Sequence, residues 1–373
     1  MDRRVGLAAM ALLTMAACAT AKKGARLPVF YPPLPNPPRI QHLASFSSAA
    51  DVGAKRSRFA EYIAGEDPKK SEVVQKPYGA GAFAGKLYLV DMRGASYVVF
   101  DLAKQEFTRV RGTGNGRMKY PANMAVDRDG TKYVTDVGLG QVLAFDKDDK
   151  FVRAYGVVGQ FKPGDVAVAG DRLFVTDLKG HQIQVLDKRT GELLKKIGGP
   201  GAREGEFHYP TNLAVGPDDS LYVTDTMNFR VQKLTLEGKF VKSYGTVGDG
   251  LGQFSRPKGV AVDREGRMYI SDAAFENVQI FDREGGLLLF FGGPGVGPEN
   301  LNLPAAVVID YESTPLFQKY ADPRFKVEYV VLVASQFGNS KLNVFGFGKM
   351  EGVDYAAAEK QALDAKTKQA APK

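Results

Sequence analysis

The stretch PKGVAVDREGRMYISDAAFENVQIFDREGGLLLFFG, residues 257–292, contains four short apolar runs separated by Gly, Asp and Asn. In order, the runs are GVAVD, MYISD, NVQIFD and LLLFFG. β-branched and aromatic residues bounded by turn residues are typical of short strands joined by hairpins. The stretch therefore predicts an antiparallel unit of four strands.

A matching stretch, PTNLAVGPDDSLYVTDTMNFRVQKLTLEGKFVKSYG, occupies residues 210–245, at an offset of 47. Six copies of the pattern are present, and each opens with a proline: Pro77, Pro121, Pro163, Pro210, Pro257 and Pro304. Four antiparallel strands at a period of 40 to 50 residues are typical of propeller blades, with a solenoid as the weaker alternative. We therefore expect an all-β fold, a six-bladed β-propeller of four-stranded antiparallel blades.

The sixth copy has no fourth strand after KLNVFGFG, which ends at residue 348. Residues 39–48, RIQHLASFSS, resemble a fourth strand that has no blade of its own. We expect this N-terminal strand to complete the last blade, which would leave no long sheet edge exposed. The predicted propeller therefore spans residues 39–348.

Two insertions interrupt the repeats, at residues 49–76 and 311–326. The first contains AKRSRFAEYIAG, which predicts a short helix over residues 54–65. Long loops on a rigid scaffold are frequent places for function. A packing role is the alternative for both insertions.

An aspartate ends the second strand of five copies: Asp91, Asp136, Asp177, Asp225 and Asp272. The sixth copy has Ser335 at this position. Recurrence once per blade favours a structural role, in which each carboxylate caps a turn by accepting backbone hydrogen bonds.

The N-terminus resembles a bacterial lipoprotein signal, because Arg3 and Arg4 precede an apolar run that leads into Met15-Ala16-Ala17-Cys18. Residues 1–17 would be the signal peptide, and Cys18, the only cysteine, the lipidated residue. The first position of the signal is usually Leu, and here it is Met15. An ordinary signal peptide is the alternative. Ala19 after the cysteine favours the outer membrane of a Gram-negative bacterium by resemblance to sorting rules.

Segments at both ends of the predicted propeller differ from it in composition. Residues 18–38 would form the lipid anchor and a stiff, extended spacer, since LPVFYPPLPNPP at 27–38 is rich in proline. Residues 349–373 are rich in Ala and Lys and predict a disordered tail or a frayed helix.

The formal net charge of +8 is compatible with nucleic acid, acidic polysaccharide or an anionic membrane as a partner. Export would exclude nucleic acid. The expected partners are the membrane, through the lipid anchor, and envelope proteins or anionic polysaccharide.

The repeats resemble the NHL-repeat family, whose propellers usually have six blades. The naming triplet of the family is degenerate here, as in Asn228-Phe229-Arg230 and Gly180-His181-Gln182. A family of this kind includes scaffolds, RNA binders and a few enzymes, so the fold alone does not define the function.

The resemblance implies where a metal would bind. A related lyase holds zinc with three histidines over the channel, and this chain has only His42, His181 and His208. His181 and His208 are weak candidates, because the two loops that carry them would share one face, and a third histidine ligand is not evident. Related calcium lactonases place Asn directly after the opening proline, where no copy here has a carboxamide or carboxylate.

One position further, the copies carry Gly79, Asn123, Asp165, Asn212, Gly259 and Ala306. Asn123, Asp165 and Asn212 come from three consecutive blades and would form an arc of oxygens that binds a cation or a polar ligand. The alternative is turn geometry, since Gly, Asn and Asp are the residues that tolerate positive φ.

These observations favour a non-enzymatic binding scaffold, anchored at the cell envelope, that works through loops on one propeller face. No cofactor is predicted, although a divalent cation is compatible with the arc. The alternative is a metal-dependent lyase or hydrolase with its site at the central channel mouth. A receptor for a small polar ligand is a third possibility.

Overall fold

A computed structural model describes residues 27–53 and 73–358 of the chain. Five antiparallel sheets of four strands and one of five strands form six blades. The innermost strands of neighbouring blades contact one another around the whole ring, and the last contacts the first. The predicted six-bladed β-propeller is therefore confirmed.

The strands are numbered β1 to β25 in chain order, and each blade is given from its inner to its outer strand. Blade one contains β3 (Pro77–Phe83), β4 (Lys86–Asp91), β5 (Ser96–Asp101) and β6 (Glu106–Val110). Blade two contains β7 (Pro121–Val126), β8 (Lys132–Asp136), β9 (Gln141–Phe145) and β10 (Phe151–Tyr155). Blade three contains β11 (Pro163–Ala169), β12 (Arg172–Asp177), β13 (Gln182–Asp187) and β14 (Leu193–Ile197). Blade four contains β15 (Pro210–Val215), β16 (Ser220–Asp225), β17 (Arg230–Thr235) and β18 (Phe240–Tyr244). Blade five contains β19 (Pro257–Val262), β20 (Met268–Asp272), β21 (Asn277–Phe281) and β22 (Leu287–Gly292). Blade six contains β23 (Pro304–Asp310), β24 (Phe325–Ser335), β25 (Leu342–Met350), β2 (Ile40–Phe46) and β1 (Phe30–Tyr31).

Every inner strand begins at one of the six repeat prolines. Proline cannot donate to the ladder, so the first residue of a strand is one of the few positions in a sheet that accept it. The hydrophobic core consists of six clusters, most of which lie between neighbouring blades. Burial between blades, rather than within one, holds the ring together.

The N-terminal strand β2 closes the ring, as predicted. It pairs antiparallel with β25, with Ile40 opposite Phe347 and Phe46 opposite Leu342. Phe46 contacts Phe100 of blade one, with their ring centroids 5.4 Å apart. The two ends of the propeller sequence therefore share one sheet.

The expected extended spacer is wrong for residues 27–38. Phe30 and Tyr31 form β1, which pairs with β2 and gives blade six a fifth strand. Phe30 is 6% exposed and lies 5.7 Å from the ring of Phe325. The apolar side chains within the proline-rich segment bring it back onto the sheet. Residues 1–26, including the signal peptide and Cys18, lie outside the described residues.

The first part of the predicted tail is ordered against the propeller. Strand β25 extends to Met350, and residues 355–358 are helical. The Tyr355 hydroxyl accepts a hydrogen bond from the Met350 N–H and donates one to the Pro38 carbonyl, both at 2.7 Å. Residues 359–373 lie outside the described residues.

The insertion at 311–326 packs against the fold. It contains the helical turns Thr314–Phe317 and Gln318–Tyr320. Phe317 is fully buried, and its ring lies 6.4 Å from that of Phe46 at the closing blade. This insertion therefore has the packing role. The helix predicted over 54–65 in the first insertion lies outside the described residues.

Candidate functional site

The six inner strands surround a central channel of about 370 Å³, whose wall consists mainly of Ala, Val, Leu and Ile side chains. The ring of equivalent positions lies near the end where the inner strands begin: Gly79, Asn123, Asp165, Asn212, Gly259 and Ala306. This polar ring separates the apolar channel from the loops above it.

The structure brings Asn123, Asp165 and Asn212 to one level of the ring and buries all three, with exposed fractions of 3%, 6% and 2%. Val166 N–H donates to Asp165 Oδ1 at 2.8 Å, and Met124 N–H donates to Asn123 Oδ1 at 3.0 Å. Blades two and three therefore use the same local hydrogen bond, whether the residue is Asn or Asp.

Asp165 also joins blade three to blade four. Leu213 N–H donates to Asp165 Oδ2 at 3.1 Å, and the Asn212 side-chain amide donates to the same carboxyl. Asn212 Nδ2 further lies 3.5 Å from the carbonyl oxygen of Ala305 in blade six. Asn212 Oδ1 is fully buried and has no hydrogen-bond partner within the described part of the chain.

Turn geometry does not explain these residues, because none of the six ring positions has a positive φ. Close approach of the blades explains the two glycines instead. A Cβ on Gly79 would lie 2.3 Å from Asn123 Oδ1, and one on Gly259 would lie 2.6 Å from Val307 N. The ring therefore combines tight packing with three buried polar side chains.

Burial raises the pKa of Asp165 to about 7, against the opposing effect of the hydrogen bonds from Leu213, Val166 and Asn212. The folded protein thus binds a proton at Asp165 between about pH 4 and pH 7 that the unfolded chain has released. Stability from this group is fully present at the acid end of that range and is lost as the pH rises through 7.

We predict that the substitution Asp165→Asn stabilises the folded protein at pH 8 and destabilises it at pH 4. At pH 8 the variant avoids a buried carboxylate and should be about 2 kcal/mol more stable than the wild type. At pH 4 it should be about 1 kcal/mol less stable, because the bond from Leu213 N–H is lost. Urea unfolding at both pH values measures this. Equal differences at pH 4 and pH 8 would contradict the raised pKa.

A second set of groups lies beside the ring, at Tyr78, Arg256 and Lys258. Lys258 is 9% exposed, and burial, followed by the charge of Arg256, lowers its pKa to about 8. Burial also raises the pKa of Tyr78, and the negative charge of Asp165 acts in the same direction. The positive charge of Arg256 acts to lower the pKa of both Lys258 and Tyr78, so the charges of these three side chains are coupled.

The sequence analysis missed this cluster. Tyr78 and Lys258 directly follow the repeat prolines, at the position where related calcium lactonases have Asn. A difference in side-chain size between the copies could have indicated this cluster. At this position Ala122, Gly164, Thr211 and Ala305 are small, whereas Tyr78 and Lys258 are long.

The structure brings His181 and His208 together, with ring centroids 5.5 Å apart, and His181 Nδ1 accepts a hydrogen bond from Tyr209 N–H. His42 lies in β2 of blade six, next to Phe345, and hydrogen-bonds with Ser45. Within residues 27–53 and 73–358, no three His, Cys, Asp or Glu side chains cluster in a way that could hold a metal. The donor set thus does not fit a three-histidine zinc site.

Four of the five repeated aspartates accept backbone hydrogen bonds from the following turn, as predicted: Asp91, Asp136, Asp177 and Asp272. Asp225 reaches its turn through the side-chain amide of Asn228 instead. Asp136, for example, accepts hydrogen bonds from the N–H groups of Gly138 and Leu139 in the following turn. It also accepts from the N–H groups of Lys119 and Tyr120, which lead into the inner strand β7. Each carboxylate therefore ties a turn to the loop that enters its blade.

We call the side of the propeller that carries these turns and the inter-blade loops the loop face. Nine exposed large apolar side chains lie on it: Tyr120, Val157, Val158, Tyr209, Met227, Val247, Leu251, Val296 and Phe337. Other exposed large apolar side chains lie on the outer strands: Val152, Leu193, Leu194, Val241, Leu288 and Phe290. The loop face therefore carries about half of the exposed large apolar side chains of the described residues, and exposed apolar surface of this kind is a candidate for an interaction site.

Charge on the loop face is unevenly distributed. The loops of blades one to three, at residues 92–95, 111–120, 137–140, 156–162 and 178–181, contain no Asp or Glu. They carry six exposed basic residues, which we call the basic arc: Arg93, Arg111, Arg117, Lys119, Lys162 and Lys179. The opposite face, formed by the hairpin turns, pairs its charges, as in Lys188–Asp127 and Arg267–Asp263.

The fold and its repeats define a six-bladed β-propeller that contains at least one recognisable NHL repeat. The NHL repeat family matches residues 207–234, within blade four and the loop that precedes it. This match and the six blades support the resemblance seen in the sequence.

Comparisons with known proteins return several enzymes. The peptidylglycine alpha-amidating monooxygenase of Rattus norvegicus is 29% identical over 140 residues, which cover 33% of this chain and 14% of that protein. The chain thus matches only a small part of its curated relative. A gluconolactonase from Xanthomonas campestris has a TM-score of 0.54 at 17% identity, covering 87% of this chain and 99% of the other. Virginiamycin B lyase from Staphylococcus aureus has a TM-score of 0.51 at 13% identity, with coverages of 73% and 95%. Identities this low demonstrate the shared fold alone.

Across residues 27–53 and 73–358, the structure contains no helix long and apolar enough to span a membrane.

Proposed function

We propose that this chain is a non-enzymatic binding scaffold, and that a partner docks on the loop face. The observation that carries the proposal is that exposed apolar side chains and the basic arc coincide on this face, and that no basic-arc residue forms an ion pair within residues 27–53 and 73–358. The opposite face offers ion-paired turns instead. Interfaces combine an apolar centre with charges that steer the partner, and only the loop face supplies both.

The chemistry of the face favours a protein over a polysaccharide as the partner. Many of its exposed apolar side chains are aliphatic, among them Val158 at 65% exposure, Leu251 at 77% and Val296 at 91%. Aliphatic patches bury well against protein, whereas sugars need aromatic platforms and hydrogen bonds. The partner would carry an acidic region opposite the basic arc, beside an apolar one.

The proposed setting is the cell envelope. A lipid on Cys18 would anchor the chain, with the outer membrane of a Gram-negative bacterium as the location, on the evidence of the sequence alone. Strand β1 is the outermost strand of blade six. An anchor attached upstream of β1 would therefore hold the propeller by its side and leave the loop face open.

The alternative, a metal-dependent lyase or hydrolase, has less support. Its site would need at least three protein ligands, and the described residues bring together only the pair His181 and His208. A divalent cation bound in stoichiometric amount to the purified chain, and lost on substituting His181 or Asp165, would favour this alternative.

In-cell photo-crosslinking tests the scaffold proposal. A photo-reactive residue at Val158, on the loop face, should capture one dominant envelope protein, identified by mass spectrometry. The matched control is Val152, which is 57% exposed on the outer strand β10 of the same blade and should capture none. Equal capture from both positions, or none from either, would overturn the proposal, and capture of polysaccharide would reassign the partner.

Charge reversal gives a second readout. Arg117→Glu with Lys119→Glu should reduce the Val158 crosslink at least tenfold, because the basic arc would then repel an acidic partner. Arg128→Glu with Lys150→Glu, at exposed positions in the hairpin turns of blade two, should leave it unchanged.

A further inference from the structure

The outer strands of the blades differ in how they are protected against pairing with another chain. An outer strand is the edge of its sheet, and the unpaired backbone groups along an edge are a template for a further strand. Charged residues and short length are common forms of protection. Strands β6, β10, β14 and β18 each contain at least one charged residue, and β1 is only two residues long. Strand β22 of blade five has neither form of protection.

Strand β22 contains six residues, LLLFFG, and none of them is charged. It lies at the edge of its sheet and pairs with β21 alone within the described residues. Leu288 and Phe290 are 53% and 46% exposed, and they lie on the same face of the strand because they are two residues apart. Tyr31 of β1 packs against Phe291 near one end, with ring centroids 6.2 Å apart. The part of β22 away from β1 therefore combines an open edge with exposed apolar side chains.

The charges of the outer strands indicate which of them could pair with a second copy of the chain. In an antiparallel pair of identical strands, the middle residue lies opposite the same residue of the partner subunit. The middle residue is basic in three outer strands: Arg153 in β10, Lys195 in β14 and Lys242 in β18. Like charges directly opposite one another are destabilising, so these strands resist pairing with their own copies. Strand β22 contains no charge that would produce such repulsion.

The segments that flank β22 also suit an antiparallel pair. Residues 282–286 before the strand form the hairpin turn DREGG, which has three charged residues, whereas residues 292–297, GGPGVG, have none. Antiparallel pairing brings the charged turn of one copy next to the uncharged segment of the other, whereas parallel pairing would bring the two charged turns together. Pairing centred on Leu289 places Leu288 of one copy opposite Phe290 of the partner subunit, and such cross-strand apolar pairs are favourable.

We propose that β22 is a docking edge for a second copy of this chain, and that two copies form a dimer by antiparallel pairing of their β22 strands. The two four-stranded sheets of blade five then become one continuous sheet across a two-fold axis. Each copy covers apolar side chains and pairs backbone groups that the other leaves exposed. Because the pairing edge is short, the dimer is expected at micromolar rather than nanomolar concentrations.

Dimer formation is independent of the partner-binding proposal. Strand β22 runs from the hairpin turns toward the loop face, so antiparallel pairing turns the loop faces of the two copies in opposite directions. Both loop faces stay open, and the dimer presents two of them. Loss of the Val158 crosslink would leave the dimer intact, and a monomeric chain would leave the Val158 crosslink intact.

Sedimentation velocity of the purified full chain over a range of concentrations tests the proposal. All chains carry Cys18→Ser, which removes the only cysteine and any lipid on it. The chain should show a monomer–dimer equilibrium. Phe290→Lys should weaken the dimer at least tenfold, because the two-fold axis places the substitution in the interface twice.

The matched control is Val241→Lys, on the outer strand β18 of the neighbouring blade. Val241 is 48% exposed and Phe290 46%, so neither substitution should disturb the fold. The control should leave the dissociation constant of the dimer within twofold of the unsubstituted chain. A monomer at every concentration, or equal weakening by the two substitutions, would overturn the proposal.

Disulfide crosslinking tests the register of the pair. Leu288→Cys and Phe290→Cys chains are oxidised separately and as an equal mixture. The mixture should give at least fivefold more crosslinked dimer than either chain alone, because residue 288 of one copy lies opposite residue 290 of the other, within the reach of a disulfide. Equal crosslinking in all three reactions would contradict the proposed pairing. A monomeric chain whose photo-reactive residue at Phe290 captures a different protein would assign the edge to that protein and exclude the second copy.

Discussion

Deleting residues 1–46 is expected to abolish the cooperative folding of the propeller, whereas deleting residues 1–26 leaves it intact. The longer deletion removes β1 and β2, and with them the buried side chains Phe30, Ile40, Leu43 and Phe46. At about 1.5–3 kcal/mol for each, their burial contributes roughly 6–12 kcal/mol, comparable to the whole stability of a typical domain. The deletion would also expose the edge of β25 along its pairing with β2.

Circular dichroism and urea unfolding of the two truncated chains measure this difference. A synthetic peptide of residues 27–46 added to the longer deletion should restore part of the unfolding transition, because it can pair with β25 in trans. If the longer deletion unfolded with the same midpoint as the shorter one, closure by β2 would be dispensable, and blade six would be stable with three strands.

The second large effect concerns Asp225, the capping aspartate of blade four. Its carboxylate is fully buried and accepts hydrogen bonds from His208 N–H, Asn228 Nδ2 and Arg230 Nε, at 2.6, 2.8 and 2.9 Å. Asp225→Ala leaves the guanidinium of Arg230 without its carboxylate at 15% exposure. Removing one partner of a buried pair costs about 3–5 kcal/mol, and we expect a loss of this size.

Urea unfolding of Asp225→Ala is best compared with Asp148→Ala, which removes an exposed carboxylate paired with Lys147. The control should change stability by less than about 0.5 kcal/mol, since exposed pairs contribute little. The double variant Asp225→Ala with Arg230→Met should recover part of the loss, because it removes the stranded charge. If Asp225→Ala lowered the free energy of unfolding no more than the control does, the hydrogen bonds to the Asp225 carboxylate would contribute little to the stability of the turn.

Features that repeat in the sequence were predictable. The six prolines mark the first residue of each inner strand, and in five blades an aspartate marks the turn after the second strand, because both recur at a fixed place in a local unit. The closing strand was also predictable, since the sixth copy is one strand short and residues 39–48 have no other blade to join. A count of the strands in each copy is enough to predict that this strand joins blade six, although the pairing connects distant parts of the chain.

Features that depend on contacts between blades were not predictable. Residues 27–38 are proline-rich, and only the position of Phe325 explains why Phe30 returns to the sheet. Asn123, Asp165 and Asn212 could be identified as a set, but the burial of Asn123 depends on how closely blade one approaches it at Gly79. The Lys258 cluster was missed because it joins side chains from different blades, so no single repeat displays it.

The pairing of β2 with β25 also determines when the propeller can form. Ile40 lies opposite Phe347, about 300 residues later in the chain. During synthesis β2 leaves the ribosome early and has no partner until nearly the whole propeller sequence has followed. Contacts of such long sequence separation slow folding. The ring cannot close on a growing chain, and the polypeptide stays incompletely folded until its last blade has been made.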